Sequence, residues 1–151
     1  MRGGFQVDDV VVKLVAAPDE LEAATAVRRR VFVEEQGVPL EEEYDEYDAI
    51  AIHAAAVCQG RIIGTGRLFR HESGEGRIGR MAVDVAWRRQ GVGGRLLEAL
   101  EAEARRLKMP RVVLHAQTYV HEFYARHGYV PYGPRFMEAG IEHVAMRKEL
   151  V

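Results

Sequence analysis

The sequence predicts a mixed α/β fold: a central β-sheet of about six to seven strands with helices on its faces. Three observations carry this reading. First, an apolar segment over Ile78–Trp87 runs into Arg88-Arg89-Gln90-Gly91-Val92-Gly93-Gly94-Arg95 and then into the most regular amphipathic stretch of the chain, Leu96–Lys108. Second, Val112-Val113-Leu114 follows as a short, wholly apolar strand; strand, helix and strand at this spacing make a crossover to a parallel neighbour. Third, Ala49–Cys58, Gln59-Gly60 and Arg61–His71 read as a β-hairpin, and Ser73-Gly74-Glu75-Gly76 turns the chain into the next strand. An antiparallel meander feeding a parallel crossover gives a mixed sheet with helices on its faces.

The elements follow in order. Val10–Ala16 is β-branched and apolar, a first strand. Pro18-Asp19-Glu20 opens a helix, because proline suits the first helical position and acids suit the first turn. Leu21, Ala24, Val27 and Val31 keep helical spacing until Gly37 and Pro39 stop it. Ala49–Cys58, Arg61–His71 and Arg77–Val85 are the meander strands. In the long helix, Leu96, Leu97, Leu100, Ala104 and Leu107 line one face, and Glu101 and Arg105 are expected to pair on the other. Pro110 ends it. Thr118 is placed to cap a short helix, Tyr119–His127, that Gly128 closes. Tyr129–Tyr132 and Ile141–Leu150 are two last strands, with Gly133-Pro134 and Ala139-Gly140 marking loops.

Composition bounds the function. A chain of 151 residues with 48% hydrophobic and 29% charged residues is an ordinary globular domain. Its net charge of −2 gives no global pull toward nucleic acid or an anionic membrane. The single cysteine, Cys58, lies in an apolar run and reads as a buried thiol. Residues 1–9 carry no apolar signal-peptide core and read as a flexible lead; the expected setting is cytoplasmic.

The glycine-rich loop is the chemical signal. Glycine lets backbone approach a ligand and take positive φ. A helix start leaves N–H groups without intrahelical partners and carries partial positive charge. No Ser, Thr, Asp or Asn stands where a cap would absorb those donors, and Arg95 replaces the usual first-turn acid. The loop therefore reads as an anion site flanked by Arg88 and Arg89, against the alternative of a flexible loop with exposed arginines. It is neither a P-loop, which needs Lys and Ser or Thr after the glycines, nor a dinucleotide fingerprint, which needs a third glycine at Leu96. A second feature is the acidic run Glu34–Asp48, interleaved with Tyr44 and Tyr47. It reads either as a solvated face or loop, or as a wall that attracts a cationic acceptor.

The pattern R-x-x-G-x-G, here Arg88, Gly91 and Gly93, between a strand and a long helix, resembles the acetyl-CoA pyrophosphate loop of the GNAT N-acetyltransferase superfamily. Phe123-Tyr124-Ala125-Arg126-His127-Gly128-Tyr129 resembles the family's F-Y-x-x-x-G-[FY] segment. The element order matches over nearly the whole chain, and the run Val31–Pro39 is similar to the YjcF-like subgroup of small bacterial members. The resemblance implies one GNAT-like domain over 1–151, a three-layer fold with about four helices flanking the sheet, with acetyl-CoA as co-substrate, an amine as acceptor and no metal. It implies that backbone amides of Gln90, Gly91, Val92, Gly93, Gly94 and Arg95 hold the pyrophosphate, flanked by Arg88 and Arg89. Met81, Ala82 and Val83 would pair with the pantetheine amides, and Gln117 would stand in for the more usual Asn. Tyr124 would protonate the leaving thiolate.

The family's occasional Glu early in the fourth strand is missing, since Arg77-Ile78-Gly79-Arg80 stands there. Candidates for the general base are Glu35 or its neighbour Glu34, His115 and His143. Expected partners are acetyl-CoA and an amine acceptor, with neither nucleic acid nor membrane; a homodimer is compatible with the sequence. The competing functional readings are a CoA-sensing module that kept the fold and a zinc hydrolase. The second fails because His127 lies six positions after His121, not four.

Overall fold

The computed structural model describes residues 9–150. The expected N-terminal lead therefore lies outside the described residues, apart from Asp9. Seven strands form one sheet in the order β1-β2-β3-β4-β5-β7-β6. They are β1 Val10–Leu14, β2 Ile52–Cys58, β3 Arg61–Arg70, β4 Gly76–Val83, β5 Arg111–Gln117, β6 Val130–Glu138 and β7 Ile141–Glu149. The helices are α1 Pro18–Arg28, α2 Leu40–Glu43, α3 Val92–Arg106 and α4 His121–Arg126. All neighbouring strands run antiparallel except β4 and β5, which α3 connects in parallel.

Each face of the sheet has its own core. On one side Leu96, Leu97, Leu100 and Ala104 of α3, all fully buried, pack over Ala54, Ala56, Leu68, Ile78 and Leu114. On the other, Val27 and Val31 pack against Ala55, Ile62 and Ala82. The alternation Ala54-Ala55-Ala56 between the two clusters is the period-two signature of a strand covered on both faces. The β2–β3 and β6–β7 hairpins turn where two consecutive residues hold positive φ. These are Gln59 (52°) with Gly60 (78°), and Ala139 (52°) with Gly140 (76°), the pairing that matches strand twist.

Several sequence expectations are corrected. The first helix does not stay α-helical through Val31; it widens into a π-helical turn over Arg29–Glu35 before Gly37, at φ 76°, ends it. The acidic run is not a loop alone. It holds the one-turn α2 and a 3₁₀ turn, Glu46–Ala49, capped by the Asp45 carboxylate on the Tyr47 amide. β4 stops at Val83, short of the expected Val85 or Trp87, because Asp84 turns the chain and is fixed by Arg30 at 2.9 Å through both oxygens. Glu101 is not a surface partner of Arg105. It is 3% exposed, accepts from the Tyr129 hydroxyl at 2.8 Å and pairs with Lys148 at 3.0 Å. Thr118 bonds Glu142 of β7 rather than capping a helix, so the segment splits into a 3₁₀ turn and α4. Gly133-Pro134 lies inside β6 as an irregularity between Tyr132 and Phe136, not in a loop. An exposed edge strand tolerates proline because half its N–H groups face solvent.

One irregularity positions the site. β3 residues Thr65 and Arg67 pair with β4 residues Ala82 and Gly79. One extra β4 residue is thus accommodated around Arg80, which sits at φ 53°. On its other side β4 pairs with β5 only at Gly76↔Val112 and Arg77↔Val113. Beyond that point the two parallel strands part.

Candidate active site

The parting of β4 and β5 opens a cavity of about 780 Å³. Its walls include residues 79–83 of β4 and 113–115 and 117 of β5; the start of α3 closes one end and the acidic segment and the β6–β7 turn border the other. The site residues expected from the sequence converge here. Met81, Ala82, Val83, Arg88, Arg89, Gly91, Val92, Gly93, Gly94, Gln117, Tyr124, Glu35 and His143 all line this cavity, while Gln90 and Arg95 stand beside it on the loop.

The start of α3 leaves its first backbone amides without a side-chain cap. Gly91 is the N-cap of α3 at φ 84°, a left-handed conformation that a side chain disfavours, and no side chain caps the helix. Arg89 adopts φ 63° just before it. Val92, 1% exposed, anchors the turn in the core. Gly94 has a packing role, since a Cβ there would stand 2.8 Å from the His127 imidazole, whereas one at Gly93 would meet Phe123 at an ordinary 3.4 Å. The arginine side chains divide. Arg88 is spent on the Val83 carbonyl at 2.8 Å and on Glu35, and Arg95 bonds the Val10 carbonyl at 2.9 Å. What the loop presents is chiefly backbone N–H, with the exposed Arg89 side chain beside it.

From this loop the open edge of β4 leads inward. Ala82 and Val83 pair with β3 on one side and with no strand on the other. Gln117, opposite on β5, donates to the Gln36 side chain at 2.9 Å. Tyr124 of α4 borders the same channel, 8% exposed, its ring edge-on to Phe123 and Tyr129. Burial, with help from Tyr119, pushes its hydroxyl up to about 12, so the phenol stays protonated at neutral pH.

The inner end holds two histidines. His115 of β5 meets the Glu138 carboxylate through Nδ1 at 3.0 Å across β7. That contact and the nearby charges of His143 and Arg80 hold the Glu138 carboxyl below its ordinary range. His143, 6% exposed, places Nδ1 2.7 Å from the Ile141 carbonyl and stacks on Phe136, which meets His115 edge-on. Glu35 is held by Arg88, and that hydrogen bond lowers its carboxyl from the usual range. A carboxylate so paired is a poor proton acceptor.

Half of the acids in the acidic run are spent on arginines. Arg28, 1% exposed, binds Glu43 at 2.5 Å and Asp48 at 2.6 Å; Arg67 binds Asp45 at 2.7 Å and Asp48 at 3.0 Å; Arg80 reaches Asp45 at 3.2 Å. The cation-attracting wall is therefore neutralised from within at these three acids. Sequence reasoning missed Glu138, Arg67 and Gln36, because their partners lie 19 to 83 positions away. Among the described residues no group of three or more His, Cys, Asp or Glu could hold a metal ion, and no helix is long and apolar enough to cross a membrane.

A sheet parted over an uncapped helix start, with this element order, defines the acyl-CoA N-acyltransferase class. The chain belongs to the GNAT acetyltransferase family: the model of the acetyltransferase (GNAT) domain matches residues 18–150. It is 39% identical over 141 residues to the uncharacterized N-acetyltransferase YjcF of Bacillus subtilis (strain 168), covering 91% of this chain and 100% of that protein. Among solved structures, a putative N-acetyltransferase from Lactobacillus plantarum superposes with a TM-score of 0.87 at 30% identity, over 94% of this chain and 99% of the other. An acyl-CoA N-acyltransferase from Pseudomonas aeruginosa gives 0.84 at 30% identity, over 92% and 99%.

Proposed function

We propose that this acetyltransferase moves the acetyl group of acetyl-CoA to a primary amine of a small molecule or peptide by direct attack in a ternary complex. The observation that carries the reading is the continuous path from the uncapped start of α3, along the unpaired edge of β4, to Tyr124. Amides of residues 90–95 suit a pyrophosphate. The edge at Met81–Val83 suits an extended pantetheine arm, which adds to the sheet as a strand would. An N–H of the same edge suits the oxyanion that forms as the amine adds to the thioester carbonyl. Gln117, already committed to Gln36, offers its remaining capacity to the arm.

Proton traffic then divides between two ends. The tetrahedral adduct collapses by breaking its C–S bond, and the thiolate takes a proton from the neutral Tyr124 hydroxyl. The attacking amine must lose its proton. His115 is the candidate of choice because Glu138 fixes the ring with Nδ1 toward the carboxylate, leaving Nε2 as acceptor. His143 is a second candidate, while Glu35 is engaged by Arg88. A cytoplasmic setting suits a chain whose lone cysteine is a buried thiol.

Free-thiol release from acetyl-CoA over a panel of amines tests the reading. Amine-dependent release that follows His115→Ala and Tyr124→Phe downward supports it. Calorimetric binding of acetyl-CoA with no release for any amine would mark the chain as a CoA-binding module instead.

A further inference from the structure

The acceptor end of the cavity carries a chemical bias of its own; its meaning rests on the acyl-transfer reading above. The floor there is Gly79 of β4, where an added Cβ would meet nothing within 4 Å. Around it stand Arg67 of β3, paired across the sheet with Gly79, and Arg77 and Arg80 of β4. Four of the carboxylates at this end are committed, while that of Glu42, on the exposed rim, has no ion pair among the described residues. Asp45 serves Arg67 and Arg80, Asp48 serves Arg28 and Arg67, Glu43 serves Arg28, and Glu138 serves His115. Glu42, at the exposed rim, gives its backbone carbonyl to Arg80.

The donors are not used up. Arg67 is 5% exposed, yet its Nε–H has no hydrogen-bond partner. A buried, unpaired guanidinium nitrogen is costly and asks for an acceptor. Arg80 spends Nε and Nη2 on the Glu42 and Glu43 carbonyls and on Asp45, with no bond recorded from Nη1 among the described residues. Among the described residues Arg77 spends only Nε, on Glu75. Burial, together with the positive charges of Arg67 and Arg28, depresses the Arg80 guanidinium below its ordinary range, so an anion beside it would be welcomed.

We propose that the acceptor is a small amino carboxylate, an amino acid type of molecule, whose carboxylate docks over Gly79 on Arg80 and Arg77 while its amine faces His115. A guanidinium presents planar paired donors that match a carboxylate. Arg80 also lies close enough for its charge to act on the Glu138 carboxyl. Arg77, Gly79 and Arg80 at the anion end and His115 and Glu138 at the proton-accepting end all line the one cavity.

Matched acceptors test this: a set of free amino acids, the same amino acids as C-terminal amides, and the corresponding decarboxylated amines. Two readouts are needed, calorimetric binding in the presence of saturating CoA and thiol release from acetyl-CoA. The carboxylates should bind and react roughly 10–100-fold better than their amides, the factor that a hydrogen bond to a charged group supplies. Arg80→Gln and, separately, Arg77→Gln should shrink that carboxylate-to-amide ratio, and Arg80→Lys should restore part of it. Gly79→Val should block the acceptor while acetyl-CoA still binds. A general loss of folding or rate would lower both series together and leave the ratio intact. Amides or decarboxylated amines used as well as the free acids would overturn the proposal, as would a clear preference for peptides over single amino acids. Carboxylate-dependent binding without any thiol release would uphold this site and sink the transfer reading instead.

Discussion

At the scale of single residues, the chemistry rests on a few atoms whose surroundings differ from what their type suggests. Tyr124 is the clearest case. Its ring packs between Phe123 and Tyr129, so Tyr124→Phe keeps the packing and removes only the hydroxyl. If that hydroxyl donates to the leaving thiolate, kcat and kcat/KM fall together by roughly 10²–10⁴-fold with acetyl-CoA affinity unchanged. A fall below about tenfold would leave the hydroxyl as a positioning contact. The two loop glycines separate by mechanism. Gly91→Ala forces a Cβ into φ 84°, a cost of roughly 1–2 kcal/mol, and acetyl-CoA affinity should drop by about tenfold as the loop leaves its bound shape. Gly93→Ala meets only Phe123 at 3.4 Å and should fold normally. Any affinity it loses, read by calorimetry, reports close approach of ligand to backbone. Both glycines and Tyr124 were legible in the sequence because each sits in a local pattern. The His115–Glu138 pair was not: 23 positions separate its members, and only the order β5-β7-β6 brings them together over β7.

At the scale of elements, the segment from α2 through the 3₁₀ turn shows how charge can hold structure without a large apolar face. Glu43 and Asp48 are 3% and 2% exposed, and Arg28 at the end of α1 holds both. Arg28→Met leaves two buried carboxylates without their main partner and should cost roughly 3–5 kcal/mol in urea denaturation; a loss under about 1 kcal/mol would show that the network contributes little. The same network sets an acid limit. Burial raises the Asp48 carboxyl, but the Arg28 hydrogen bond, the Asp45 amide and the charges of Arg28 and Arg67 outweigh it and hold the group well below its ordinary value. Asp45 is held low in the same way by Arg67 and Arg80 against its burial. Unfolding lets these groups bind protons, so the stability they confer is present above about pH 4 and is lost as pH falls toward the folded values. Melting followed by circular dichroism should therefore decline steeply below pH 4, and less steeply in Arg28→Met. The sequence showed this run as dense acid, but its pairing was hidden. Nothing local distinguishes a carboxylate facing water from one facing Arg28, which lies 15 and 20 positions away. The strands and the helices α1, α3 and α4 were legible from their local patterns, but the one-turn α2 was not. Ends were less so, because Asp84, Thr118 and Pro134 act through partners or edge exposure rather than through local preference.

At the scale of the whole molecule, the fold class was legible because meander, glycine loop, long helix and crossover come in one order that few architectures use. The parting of β4 from β5 was not, since residues 78–83 and 114–117 look like any strand sequence; it follows from the extra residue near Arg80. A ligand that fills that gap binds the folded chain alone, so acetyl-CoA at a hundredfold excess over Kd should add about 2.7 kcal/mol and raise Tm by roughly 5–10 °C for a domain of this size. No shift under saturating ligand would argue against the site. The parting also has a meaning for the life of the protein between turnovers. Edge strands that carry unpaired N–H and C=O groups are templates for foreign strands, and proteins usually shield them at the rim of a sheet. Here such an edge lies in the middle, along Met81–Val83 opposite Ala116–Gln117. The co-substrate that supplies the acetyl group would thus also act as a guard against aggregation, and starvation for it would put the solubility of the enzyme at risk along with its activity.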